Sequence, residues 1–245
     1  MSAISIQNVS FCYPKQNNQT LSSINLEIEE GERFGLFGPN GAGKTTLISL
    51  MTGLLQSSTG GIKLLNQPID HKDRTKKLFG FIPQDFAFYG ELSPVENLQF
   101  FGAWSGLNPK KTKQRTDELL QILGLTEHRN VQVNKFSGGM KRRVNLAIGV
   151  IHNPKILFLD EPTVGVDVQT RHAIIDYLKK LNASGTTLIY TSHLLQEAED
   201  LCNKVALIDE GKIIAMDTID NLKSIHNETG LESLYLKLTG KAYRD

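Results

Sequence analysis

Near the N-terminus apolar residues alternate in part with polar ones. Ile4, Ile6 and Phe11, then Leu21, Ile24, Leu26 and Ile28, are interleaved with polar neighbours. That period predicts two half-buried strands, with the polar run from Pro14 to Gln19 as the turn between them. Glu32 to Gly38 reads as a short buried strand that runs into a glycine-rich loop. From Lys44 to Gly53 the spacing becomes helical, with Leu47, Leu50 and Leu54 at i, i+3 and i+7. Gly60-Gly61 opens another strand, Ile62 to Leu65, and Phe79 to Pro83 is a further buried one.

After Gln84 the pattern is helical until about residue 152. Ser93-Pro94 and Asn108-Pro109 each pair a capping side chain with a proline suited to a first helical turn. The second of these helices is expected to bury Leu119, Ile122 and Leu123. Ser137 caps a helix whose apolar face is Val144, Ala147, Ile148 and Ile151. Strands return at Ile156 to Leu159, Thr187 to Tyr190, Val205 to Ile208 and Ile213 to Ala215. A helix with Ile174, Leu178 and Leu181 inward lies between the first two. Strands alternating with helices predict an α/β core with a largely parallel sheet. The expected organisation is one domain over 1–245. A β-subdomain and core occupy about 1–84, an inserted helical subdomain about 85–152, resumed core about 153–217, and a short helical tail about 218–245.

Composition narrows the field. Lys+Arg number 27 against 26 Asp+Glu, so no basic excess points to nucleic acid. No apolar run approaches the roughly 18 residues of a spanning helix. The opening Met-Ser-Ala-Ile-Ser-Ile-Gln has neither the positive flank nor the apolar run of a signal peptide, so a cytoplasmic chain is expected. Cys12 and Cys202 form no C-x-x-C pair and are read as reduced thiols.

The chemistry lies in two places. Gly38, Pro39, Asn40, Gly41, Ala42, Gly43, Lys44 and Thr45 match G-x-x-x-x-G-K-[ST] between a predicted strand and a helix. Glycines let successive backbone N–H groups turn toward an anion, and the helix start adds its positive dipole end. Lys44 supplies a mobile charge for the β- and γ-phosphates, and the Thr45 hydroxyl suits Mg²⁺. Ile156 to Asp160 is an apolar strand with a carboxylate at its C-terminal end, where ligands sit in open α/β sheets. Asp160 suits the metal; Glu161, next to it and pointing elsewhere, suits the attacking water.

With these motifs the chain resembles the ABC ATPase family over nearly its whole length. Phe136-Ser-Gly-Gly-Met140 is similar to the family signature L-S-G-G-Q, in its usual place before the acidic strand. The resemblance implies an α/β, phosphate-loop NTPase (RecA-like) core with an N-terminal antiparallel β-subdomain and an inserted α-helical subdomain. It implies ATP and Mg²⁺ as cofactors. By the same resemblance Tyr13 stacks on adenine and Thr46 joins the phosphate site. Gln84 touches Mg²⁺ or the water, and His193 contacts the γ-phosphate. Ser137, Gly138 and Gly139 act in trans on nucleotide held by another copy, and Asp167 lies on a loop that crosses between paired subunits. The implied partners are a second ATPase subunit, with a homodimer favoured over a heterodimer, and an integral membrane permease subunit.

Met140, Phe136 and Val164 depart from the commonest family residues. Met140, Lys141-Arg142-Arg143 and Thr163 to Asp167 look like the branch that powers drug, polysaccharide or sodium exporters, as does the tail with Leu231, Leu234 and Leu238. Phe86, Phe88 and Tyr89 cluster just after Gln84, as core packing or as the grip for a membrane partner. The implied location is the inner face of the cell membrane. Two rival classes fit the sequence less well. A soluble ABC ATPase acting on nucleic acid or ribosomes usually carries a coiled-coil insertion or two cassettes, absent from this sequence. A GTPase needs N-K-x-D, and Asn134-Lys-Phe-Ser137 lacks its aspartate.

Overall fold

A computed structural model describes residues 1–14, 18–69 and 75–240. Residues 15–17 of the expected Pro14–Gln19 turn and 241–245 of the tail lie outside that description. In chain order the elements begin with β1 (Ser2–Phe11), β2 (Leu21–Glu29), β3 (Arg33–Phe37) and α1 (Lys44–Met51). Next come β4 (Thr59–Leu64), β5 (Gln67–Pro68), β6 (Phe79–Ile82), α2 (Pro94–Trp104), α3 (Pro109–Ile122) and α4 (Gly138–Val150). The rest are β7 (Ile156–Asp160), α5 (Val168–Ala183), β8 (Thr187–Ser192), α6 (Leu195–Leu201), β9 (Lys204–Asp209), β10 (Lys212–Thr218), α7 (Ile219–His226) and α8 (Leu231–Thr239).

Two sheets result. An antiparallel one runs β2-β1-β4-β5, and a six-stranded one runs β10-β9-β3-β8-β7-β6. The second is parallel except for the β9–β10 hairpin. Period-two alternation sorts its core. Ile156, Phe158, Ile189 and Ile208 face α1 and the antiparallel sheet. Leu157, Leu159, Leu188 and Leu207 face the helical layer, in one core that also takes in Leu98 of α2 and Tyr235 of α8. Strands buried on both faces read as continuous apolar runs for this reason.

Helix starts follow the capping residues. Ser93 and Glu96 form a full capping box at α2, and Asn108, Ser137, Asp167 and Thr218 each accept a backbone N–H at the starts of α3, α4, α5 and α7. Two expectations need correction. Ile122 is 49% exposed and Leu120 is buried with Leu119 and Leu123, because one residue turns a helical side chain by about 100°. Leu54 is also exposed, since α1 stops at Met51 and Gly53 turns the chain at φ +72°. Strand β5 has no pattern long enough to announce it.

One close approach matters for the site. A Cβ on Gly80 of β6 would lie 2.1 Å from the Gly149 carbonyl oxygen of α4. Two glycines let that helix rest on the strand, and the segment after β6 therefore runs along α4.

Candidate nucleotide site

Parallel strands end on the same side, so the loops after β3, β8, β7 and β6 gather at one edge. They carry the phosphate loop, His193, the Asp160–Glu161 pair and Gln84, in that order. The loop itself needs its glycines. A Cβ on Gly38 would stand 2.1 Å from the Ile208 carbonyl oxygen, and Gly43 has φ +110°. The loop hands over to α1 at Lys44, whose buried ammonium donates to the carbonyls of Gly38 (2.7 Å) and Pro39 (3.2 Å).

Lys44 Nζ lies 3.8 Å from Glu161 Oε1. Burial lowers the lysine's pKa, while Glu161 and Asp160 oppose that shift. Glu161 Oε2 is 3.2 Å from His193 Nδ1 and accepts a hydrogen bond from Gln84 Nε2 at 3.4 Å. Four predicted residues from four loops thus meet at one carboxylate. Glu161 has φ +48°, a left-handed conformation that a non-glycine residue adopts only when its surroundings enforce it.

Asp160 is 2% exposed. Burial raises its pKa, against hydrogen bonds from Thr191 and Thr45. Thr191 was not foreseen. Its hydroxyl donates to Asp160 Oδ1 at 2.6 Å and accepts the Glu161 N–H at 3.1 Å, so it orients both carboxylates. The buried carboxylate beside the Thr45 hydroxyl is an all-oxygen donor set that fits Mg²⁺, a hard cation that retains several waters and asks few protein ligands. At the outer end, Tyr13 packs edge-on against Phe11, and its hydroxyl is 3.1 Å from Thr46 Oγ1. A cleft of 310 Å³ runs between Tyr13, Thr20, Asn40, Thr45, Gln84 and Glu161.

Asp160 and His193 do not line this cleft but are tied to its Thr45 and Glu161, whereas Ser137, Gly138, Gly139 and Asp167 neither line it nor bond to those residues. Ser137 Oγ accepts the Met140 N–H at 3.3 Å, and Asp167 accepts the Thr170 N–H at 2.9 Å. These two helix starts abut, with Gly139 against Thr170. Behind them α4 holds the Gln84 segment. Arg142 donates to the Gln84 carbonyl (2.7 Å), while Asn145 accepts the Ala87 N–H (3.0 Å) and donates to the Pro83 carbonyl (3.3 Å). Neither was singled out from sequence; the only signal was the basic run Lys141-Arg142-Arg143. Of the aromatic cluster, Phe86 and Tyr89 are exposed while Phe88 packs on the core.

A phosphate loop at the end of a central parallel strand, facing two strand-end carboxylates, defines a phosphate-loop nucleoside triphosphatase. The comparisons narrow this class. The ABC transporter family model matches residues 21–164. The linearmycin resistance ATP-binding protein LnrL of Bacillus subtilis is 41% identical over 89% of this chain and 70% of its own length. A Nod factor export ATP-binding protein I of Cupriavidus pinatubonensis is 40% identical over 82% of this chain, which spans 63% of that relative. Among solved structures, an ATP-binding subunit of an ABC transporter superposes with TM-score 0.89 at 27% identity, over 97% of this chain and 99% of that one. A dimeric ATP-binding cassette in a post-hydrolysis state, bound to ADP and Pi, superposes with TM-score 0.79 at 26% identity, over 88% of this chain and 98% of that one. The chain belongs to the ABC transporter family, as an ATP-binding and ATP-hydrolysing subunit.

Proposed function

We propose that two copies of this chain close around ATP and that hydrolysis, by letting them reopen, powers export through a separate membrane subunit. The observation that carries this reading is the division of the site. The cleft is lined by Lys44, Thr45, Gln84 and Glu161, with Asp160 behind Thr45 and His193 on the Glu161 carboxylate, while Ser137 to Gly139 and Asp167 do not line it and the Ser137 and Asp167 side chains only cap their own helices. A second chain can bring its Ser137 to the γ-phosphate held by Lys44. Each chain carries both halves, so two identical chains complete two sites. The dimeric cassette bound to ADP and Pi supports pairing, and relatives named for drug resistance and Nod factor export support the direction of transport. Among the described residues no helix is long and apolar enough to cross a membrane. On this reading the passage belongs to another protein, with the ATPase on the inner membrane face. The exposed aromatics of the segment Asp85–Glu91 are its docking seat.

Within the cleft, Tyr13 stacks on the base and the N–H groups of residues 40–46 hold the phosphates. Lys44 exchanges the Gly38 and Pro39 carbonyls for phosphate oxygens. Thr45, Asp160 and Gln84 would hold Mg²⁺, which when bound neutralises charge on the β- and γ-phosphates. Glu161 accepts a proton from the attacking water, and His193 and Gln84, already on its carboxylate, hold that water and the γ-phosphate in line. Glu161→Gln should retain ATP binding and lower kcat by about 10²–10⁴-fold. It should also run as an ATP-dependent dimer on gel filtration. Hydrolysis by this variant at the wild-type rate would overturn the assignment.

A further inference from the structure

One buried guanidinium on α4 touches two segments that the paired mechanism needs to move together. Arg142, 5% exposed on α4, donates from Nη1 to the Gln84 carbonyl at 2.7 Å and from Nη2 to the Val164 carbonyl at 3.2 Å. Its guanidinium carbon sits 4.8 Å from the centre of the Phe86 ring. Gln84 meets Glu161 in the cleft, Phe86 is exposed two residues further on, and Val164 lies in the turn that leads to Asp167. The helix that bears Arg142 is the one that Ser137 opens. A guanidinium is planar and rigid, so two N–H donors in its plane fix the separation of the two carbonyls they bind. If one carbonyl moved alone, a buried charged donor would lose its acceptor, and hydrogen bonds to charged groups are the costly ones to break. The ring under the guanidinium adds a third tether by cation–π attraction.

We propose that Arg142 is a positioning residue that couples the Gln84 segment to the loop bearing Asp167. A change at the γ-phosphate, or pressure on Phe86 from a docked partner, reaches the face that meets the second chain. Nothing in this coupling touches nucleotide directly, so it governs turnover and pairing rather than ATP affinity. It rests on the paired-chain reading above.

The neighbouring Arg143 is the internal control. It also ties side chain to carbonyl, but to Gly139 (3.4 Å) and Leu123 (3.0 Å), both within the helical layer. In the full-length chain, Arg142→Met should lower kcat about 10- to 100-fold, the equivalent of losing a charged hydrogen bond or two. KM for ATP should stay within about twofold of wild type, while Arg143→Met leaves the kcat-to-KM split unchanged at a comparable thermal midpoint. Arg142→Lys, whose single ammonium cannot span both carbonyls, should also lose kcat at unchanged KM, and it decides the question alone if the methionine variant does not fold. Combined with Glu161→Gln, Arg142→Met should weaken the ATP-dependent dimer. Wild-type kcat in Arg142→Lys or Arg142→Met overturns the coupling, as does a parallel loss of kcat, KM and thermal midpoint in the Arg142 and Arg143 variants. If Glu161→Gln alone formed no dimer with ATP, the pairing reading would fall instead, a result separate from the kcat-to-KM split.

Discussion

The cleft edge and the helix-start edge of this chain are built in opposite ways. At the cleft, Lys44, Asp160 and Glu161 are all under 10% exposed, and each is tied to residues far away in sequence. Thr191 binds Asp160 from 31 positions on, and Gln84 reaches Glu161 across 77. At the helix starts, Ser137 and Asp167 are exposed and their hydrogen bonds go to residues within four positions along the chain. Burial with tertiary partners fixes a group for chemistry inside the chain. Local capping satisfies a helix terminus while leaving the second face of the same groups open to another molecule. The first edge is a machine part already assembled; the second is a surface.

Mixing two disabled chains gives the sharpest way to break that distinction. Lys44→Ala should abolish productive ATP binding, and Ser137→Ala should lower turnover by about 10²-fold if its hydroxyl stabilises charge developing on the γ-phosphate. A mixed dimer of the two variants has one site with both defects and one with neither. Equimolar mixtures should therefore hydrolyse ATP well above the sum of the separate variants, in a phosphate-release assay. Activity equal to that sum would place Ser137 and Lys44 on the same nucleotide within one chain, or Ser137 on none.

The contrast between the edges also marks what a sequence can disclose. The phosphate loop and the strand-end carboxylates were legible because their chemistry demands fixed residue types at fixed local spacing. The parallel sheet was legible because strands buried on both faces leave apolar runs between helical periods. The Asp160–Glu161 geometry was not, because it depends on Thr191, a residue of ordinary strand propensity on a separate strand. Arg142 was hidden for the same reason. In one dimension it is the middle of a basic run, and only the Gly80–Gly149 contact, which lays α4 along β6, brings it beneath Gln84. Ile122 shows the limit at the finest scale. The helix and its cap were placed correctly, yet a single position decided core against solvent.

Tyr13 tests the outer end of the cleft, where the two edges are least different. Its ring packs against Phe11, and its hydroxyl pairs with Thr46. If the ring is the platform for the base, Tyr13→Ala should raise KM for ATP about tenfold, the scale of an aromatic stacking contact, with kcat nearly intact. Tyr13→Phe, which keeps the ring and loses one hydroxyl bond, should change KM by less than about threefold. Equal KM shifts in the two variants would transfer the role from the ring to the Thr46 contact.

The smallest effect probes the cost of holding the cleft ready. Burial raises the Asp160 pKa from its usual 3.8, so the folded chain binds that proton more tightly than the unfolded chain does. The sign follows directly. The contribution is favourable below pH 3.8 and is lost as pH rises through the folded-state value, leaving the ionised carboxylate a net burden at neutral pH. Asp160→Asn removes the charge, and its amide oxygen can still accept from Thr191. The same change withdraws one of the two carboxylates that favour the charged Lys44, which offsets part of the gain. In buffer free of nucleotide and Mg²⁺ the variant should be stabilised by about 1 kcal/mol, roughly 2–4 °C in thermal midpoint for a chain of this size. The difference should shrink as pH falls through the raised folded-state pKa, where the wild-type carboxyl takes up its proton. An Asp160→Asn chain less stable than wild type at pH 7 would mean that Lys44 and Thr45 already compensate the buried charge, and that the cleft carries no stored cost for a metal ion to relieve.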